Sequence, residues 1–266
     1  MSSTLKRKIL GKVQASKVLL SQFRHFSNWS DVFRAYRAGQ RLPPLRLRSG
    51  MTLHHRPADP VWSLFQEIFV NECYTRDGFY RPKSVDSVLD LGANIGTFSL
   101  YLQSVARGIR IHCYEPSRET RAQLEKNLTE NGLLDFVTVH PFAITNREES
   151  RTLYFAGQSG SNSLFLDQVT EGGETVQCRT LAQAVEGCGG NIDLLKIDTE
   201  GAEVEILDNV DPETWTKIQR VVLEYHEDVR PGCHKIVMDV LSQHYSKIRT
   251  VPMDPAGLLG VIQASN

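Results

Sequence analysis

A glycine turn set between two apolar runs constrains this chain more than any other feature. Val88, Leu89 and Leu91 form a short apolar run that stops at Gly92-Ala93-Asn94-Ile95-Gly96. A periodic apolar segment, Phe98 to Ala106, follows, and a second apolar run closes on Glu115 and Pro116. This order dictates strand, tight turn, helix and strand, with a carboxylate at the second strand's tip. Glycine tolerates positive φ and puts no Cβ where a backbone must approach a ligand. The turn therefore delivers a ligand to a helix N-terminus. Glu115, nineteen residues beyond Gly96, stands where a carboxylate accepts both hydroxyls of a ribose. The unit reads as a nucleoside-binding βαβ.

Its glycine pattern selects among nucleosides. A dinucleotide fold needs G-x-G-x-x-G so that pyrophosphate can lie on the helix N-terminus. Here Asn94 replaces the second glycine, and Asp90 adds a carboxylate at the strand end. That carboxylate would repel pyrophosphate but suits a ligand carrying an ammonium and a sulfonium; S-adenosylmethionine is such a ligand. A nicotinamide dehydrogenase is disfavoured by Asn94 and by the lack of a Tyr-x-x-x-Lys pair beyond the unit.

The charge is unevenly spread. The net charge is −1, yet residues 1–56 hold 12 Lys and Arg against one acid, Asp31. Residues 4–26 read as a basic amphipathic helix, which can pack on the main domain or a second subunit, or lie on an anionic membrane. Aromatics do not interleave with these charges as base stacking requires, so nucleic acid is not expected as a partner. The five cysteines are scattered and never in C-x-x-C spacing, which suggests neither disulfides nor a zinc site. No apolar run approaches 18 residues and no signal peptide is evident; the expected location is the cytoplasm. The expected division is a helical extension over 1–44 and a ligand-binding domain over 45–266.

Within that domain, a hairpin is expected around Ser49-Gly50, and a helix over 60–74 that ends at Tyr74 and brings its hydroxyl towards the site. Residues 117–131 form an amphipathic helix capped by Ser117. Phe136 to Ile144 is the third strand, with Ala143 near the place of an adenine. Strands follow at 151–155 and 175–179, flanking the small polar stretch 157–163, a candidate lid. A helix over 180–187, two apolar strands ending at Asp198 and His226, a helix over 233–244 and strands at 246–251 and 257–264 complete the chain. Strands alternating with helices imply a largely parallel α/β sheet covered on both faces, with ligands at the strands' carboxyl ends.

Two of those tips concentrate titratable groups. Lys196, Asp198 and Glu200 sit at one, and Glu224 and His226 at the other. Residues two apart on a strand share a face, so Asp198 pairs in direction with Lys196, and Glu224 with His226. Massed carboxylates are costly unless they have work to do. His226 is the expected general base because its ordinary pKa lies near ~6.5, with Asp198 or Glu200 orienting it or holding an acceptor hydroxyl. A second reading makes Asp198, Glu200, Glu224 and His226 ligands of a divalent cation.

The segments LDLGANIGTFSL, CYEPSRE, LLKIDTEGAEVEIL and VVLEYHE, in this order, resemble the FkbM-type S-adenosylmethionine-dependent methyltransferases. So does the lead-in LRLRSGMTLHHRPADPVWSLFQEIFVNECY, and the resemblance spans about residues 45–264. It implies the class I methyltransferase fold, Rossmann-like, with a mostly parallel seven-stranded sheet whose last strand is antiparallel. It also implies O-methylation of a sugar or natural-product hydroxyl. Carried over by position, Asp90, Gly92, Asn94, Gly96 and Glu115 would contact the cofactor, with Ala93, Pro116, Ala143 and Tyr74 beside them. Asp198 and Glu200 would lie near the transferred methyl. Thr199 departs mildly from the aliphatic residue common there. The expected partner is a small-molecule or glycan acceptor; an anionic membrane surface and a second copy of the chain are the alternatives left open for the basic helix. Competing readings are N-methylation of an amine or amide, and a nucleoside-binding scaffold without catalysis.

Overall fold

The computed structural model describes residues 23–155, 162–165 and 172–266, which divide into two compact units between Pro57 and Ala58. In the first unit a helix, α1 (Trp29–Arg37), precedes a two-stranded antiparallel hairpin, β1 (Leu45–Arg46) and β2 (Thr52–Leu53). The backbone N–H of Ser27 donates to Arg46 O, and that of Arg46 donates to the Asn28 side chain. These bonds join the hairpin to the residues before α1. The N-terminal compact unit takes in the hairpin and runs to Pro57, past the boundary expected at residue 44. The helix expected over 4–26 lies for the most part outside the described residues.

The second unit opens with α2 (Val61–Phe65), which runs on into a single π-turn over Gln66–Val70. The helix expected to reach Tyr74 stops here, and Glu72 adopts a positive φ of 48°. Tyr74 lies in the turn that follows and is buried. The apolar runs then become strands, and the central ones bury both faces, as a parallel sheet covered by helices requires. They are β3 (Ser87–Leu91), β4 (Arg110–Tyr114) and β5 (Val137–His140), followed later by β9, β10, β11 and β12. Every residue of β3 is buried, and Val88, Leu89 and Leu91 have no exposed surface. Each such side chain contributes about 1.5–3 kcal/mol relative to exposure. The α3 helix (Thr97–Val105) links β3 to β4, and α4 (Arg118–Glu130) links β4 to β5. Ser117 caps α4 through its hydroxyl, as its position predicts.

The strand expected over 136–144 is broken at Pro141. Proline offers no N–H to a ladder, and the chain leaves the main sheet there to form β6 (Phe142–Thr145). β6 pairs with β8 (Gly173–Thr180), which also carries β7 (Ser150–Tyr154), so these three make a separate small sheet. Then come α5 (Leu181–Gly187), closed by a Thr180–Gln183 capping box, β9 (Leu194–Ile197), α6 (Glu203–Leu207), α7 (Pro212–Thr216) and β10 (Arg220–His226). The α8 helix (Cys233–Leu241), β11 (Lys247–Pro252) and β12 (Leu259–Ser265) complete the unit.

The main sheet has the order β11-β12-β10-β9-β3-β4-β5, with β12 antiparallel to both neighbours. This is the class I methyltransferase topology, with a mostly parallel seven-stranded sheet and helices on its faces. The chain reverses direction of travel across the sheet between β3 and β9, so the carboxyl ends of those strands open a crevice. No helix among the described residues is long and apolar enough to cross a membrane.

Candidate active site

The glycine turn after β3 is held from below. Gly92, Asn94 and Gly96 all have positive φ, of 77°, 50° and 85°. A Cβ on Gly92 would stand 1.7 Å from the backbone oxygen of Asp198, so the turn and the β9 tip approach too closely for any side chain. Lys196 ties the two together. Its ammonium donates to Gly92 O at 2.7 Å and pairs with Asp90 at 3.0 Å and Asp198 at 3.6 Å. Burial alone would lower its pKa, but Asp90 and Asp198 raise it well above the ordinary value. Asp90 has no exposed surface. Asp90, expected to contact the cofactor, does not line the cleft; it lies under the turn, paired with Lys196.

The cleft above the turn encloses about 630 Å³, counting space open to solvent. Its walls include Gly92, Asn94, Glu115, Pro116, Asp198 and Glu200, with Phe142, Ala143 and Ile144 on the apolar side. Ala93 and Gly96 do not line it; they shape the turn behind it. Glu115 is buried, and each of its carboxylate oxygens accepts one backbone N–H, from Asn94 at 3.0 Å and from Ser117 at 3.0 Å. These bonds fix the carboxylate and leave lone pairs facing the cleft. Burial pushes its pKa up to about 7, against the pull of the two N–H donors. Asn94 Oδ1 is buried with no hydrogen-bond partner among the described residues.

Behind Asp198 and Glu200 stands a second layer. Glu200 follows β9 at a strained positive φ of 54°, a cost that persists where surrounding structure enforces it. The Tyr74 hydroxyl reaches Asp198 Oδ2 at 3.0 Å and Glu224 Oε2 at 2.7 Å. His226 Nδ1 lies 3.2 Å from Glu203 Oε1, which also accepts the backbone N–H groups of Thr199 and Gly201. His226 Nε2 faces Glu200 at 3.5 Å, Glu224 at 3.8 Å and Asp198 at 3.9 Å. Burial would lower the pKa of His226, but the bond to Glu203 and the charges of Glu200, Glu203 and Asp198 raise it to about 11. These neighbours favour the protonated form of the imidazole. His226, expected as the general base, stands behind Asp198 and Glu200 and does not itself line the cleft.

The carboxylates respond in the opposite sense. Burial, opposed by His226 and reinforced by Asp198, raises Glu200 to about 8. Burial and then Asp198 push Glu224 well above the usual carboxylate range. Glu67, which the sequence reading did not single out, is raised to about 7 by burial and Asp198. Glu203 was missed as well; its only signal was the second acid of EGAE, three residues after Glu200. Of the candidate lid at 157–163, only Asn162 and Ser163 are among the described residues. Asn162 lines the cleft, and Ser163 donates its hydroxyl to Glu200 O.

Comparison with known proteins matches residues 90–246 to the family model described as Methyltransferase FkbM domain. The 31-O-demethyl-FK506 methyltransferase FkbM of Streptomyces tacrolimicus is 32% identical over 213 residues, covering 69% of this chain and 81% of that relative. The AMB antimetabolite synthetase AmbE of Pseudomonas aeruginosa is 35% identical over 215 residues, covering 67% of this chain. The chain spans only 10% of that synthetase's length. Among solved structures, Methyltransferase FkbM from Methylobacillus flagellatus shares the fold with a TM-score of 0.51 at 17% identity. That likeness covers 72% of this chain and 46% of that one.

Proposed function

Because the chain belongs to the FkbM-type methyltransferase family, we propose that it transfers a methyl group from S-adenosylmethionine to a hydroxyl of a sugar or natural-product acceptor. The observation that carries this reading is one cleft lined both by the Gly92–Gly96 turn with Glu115 and by the carboxylates Asp198 and Glu200. The residues present fit the cofactor. Glu115 keeps lone pairs for two ribose hydroxyls, Asn94 Oδ1 is a buried acceptor in want of a donor, and Phe142 to Ile144 offer an apolar wall for a purine.

When bound, S-adenosylmethionine supplies a methyl group on a sulfonium for in-line displacement. The chain's own residues orient the acceptor and take its proton. Asp198 and Glu200 line the cleft and are the groups an acceptor hydroxyl would meet. Glu200, raised to about 8, lies near the range that suits a general base. His226 and Lys196 stand behind them and balance their charge. Tyr74 holds Asp198 in place from the other side.

An N-methyl acceptor would need no such base, since a neutral amine is already nucleophilic. Paired acceptors that differ only in a hydroxyl or an amine at the reacting position test the distinction. Mass spectrometry is expected to show methyl gain on the hydroxyl member of each pair. Transfer to the amine members alone would overturn the O-methyl reading.

A further inference from the structure

We propose that a divalent cation binds at the tips of β9 and β10, held by Asp198, Glu224 and His226. Sheet register brings these residues together: β10 runs parallel to β9 with Leu223 opposite Ile197, so Glu224 falls opposite Asp198. His226 is two residues further along the same face. Among the described residues, each of the three offers one ligand atom, and these atoms all lie within 4.8 Å of one another. Ligands around a cation at about 2.1 Å are roughly 3 Å apart when adjacent and roughly 4.2 Å apart when opposite. The inner atoms fall between these limits, with His226 Nε2 at 3.9 Å from Asp198 Oδ1 and 3.8 Å from Glu224 Oε1, so small side-chain shifts would bring them onto one cation. Glu200 Oε2, 3.5 Å from the same nitrogen, is within reach as a fourth donor.

These separations are too long for hydrogen bonds. The His226 side chain is 4% exposed, yet its Nε2 makes no hydrogen bond among the described residues while it faces three carboxylates. The hydrogen bonds of the trio are made by its outer atoms. The Tyr74 hydroxyl engages the outer oxygens, Asp198 Oδ2 and Glu224 Oε2, which leaves Oδ1 and Oε1 turned inward. Glu203 Oε1 engages His226 Nδ1. Glu203 has no exposed surface, and the same oxygen already accepts backbone N–H groups, so Nδ1 is the donor and Nε2 carries the ligating position. A carboxylate behind a histidine ligand is how proteins fix the ring's tautomer and orientation at a metal. Two carboxylates and one imidazole suit a cation such as Mn²⁺. Placed beside the cleft, it would acidify an acceptor hydroxyl; that role rests on the methyl-transfer reading, whereas the binding site does not.

Titration of the EDTA-stripped full chain with Mn²⁺, followed by electron paramagnetic resonance, tests the site. One tightly bound Mn²⁺ per chain is expected. Glu224→Gln and His226→Ala should each weaken it at least tenfold, and Tyr74→Phe roughly tenfold through its hold on the ligands. S-adenosylhomocysteine binding is measured on the same samples, so that loss of the metal and loss of the cofactor are read separately. No Mn²⁺ uptake by the parent chain, or uptake unchanged in all three variants, overturns the site. S-adenosylhomocysteine binding without Mn²⁺ uptake removes the metal alone, and Mn²⁺ uptake without S-adenosylhomocysteine binding removes the cofactor assignment alone.

Discussion

Lys196→Met is expected to destabilise the 58–266 unit by about 3–5 kcal/mol, the usual cost of breaking a buried ion pair by removing one partner. The side chains of Lys196 and Asp90 are 3% and 0% exposed, with Nζ 3.0 Å from Oδ1. Without the ammonium, Asp90 keeps neither water nor a counter-charge, and Gly92 O loses its 2.7 Å donor. For a unit of this size the loss corresponds to a fall in Tm of roughly 10 °C. Adding Asp90→Asn to the variant should recover part of it, because the stranded charge is then gone. Urea unfolding of the two variants and the parent measures both effects. A single variant as stable as the parent would show that the pair does not brace the turn.

Gly92→Ala is the second large effect, and its cause is steric. Alanine would have to adopt a φ of +77° and place its Cβ 1.7 Å from Asp198 O, a backbone atom that cannot swing aside. The turn and the β9 tip must separate, at a cost of roughly 3 kcal/mol or more. Gly257→Ala isolates the dihedral part. It has a similar φ of +71° but nothing within 4 Å of the added carbon, so about 1 kcal/mol is expected. Gly92→Ala should also lose cofactor affinity, since the displaced groups line the cleft, whereas Gly257→Ala should keep it. Equal Tm values for the two variants would contradict the close approach.

Much of this architecture was legible because local signals agreed. The turn GANIG, the capping residue Ser117 and the alternation of apolar runs with helices all pointed to one α/β sheet, and the turn and the cap form where expected. What escaped depended on contacts distant in sequence. The hairpin's place with the N-terminal unit rests on bonds from Ser27 and Asn28 to Arg46, which no periodicity reveals. Asp90 looked like a ligand contact because it sits in the turn motif. Its partner Lys196 is 106 residues away, and only the sheet register brings them together. His226 looked like a base because its ordinary pKa suits one. Glu203, folded back from α6 onto Nδ1, holds the ring behind the cleft and favours its protonated form. The Pro141 break was readable from the missing N–H alone and was overlooked in favour of a long apolar run.

The most direct test of the cofactor assignment is calorimetric titration with S-adenosylhomocysteine between pH 6 and pH 8. Burial raises Glu115 to about 7, and only its charged form accepts two ribose hydroxyls. Below that pH the free protein carries a proton that binding must expel, so affinity should fall roughly tenfold per unit. Above it, affinity should level off, in the micromolar range. Glu115→Gln should bind more weakly and lose this pH dependence. Micromolar binding that strengthens as the pH rises through about 7 is the predicted result; no heat of binding anywhere in the range would contradict it.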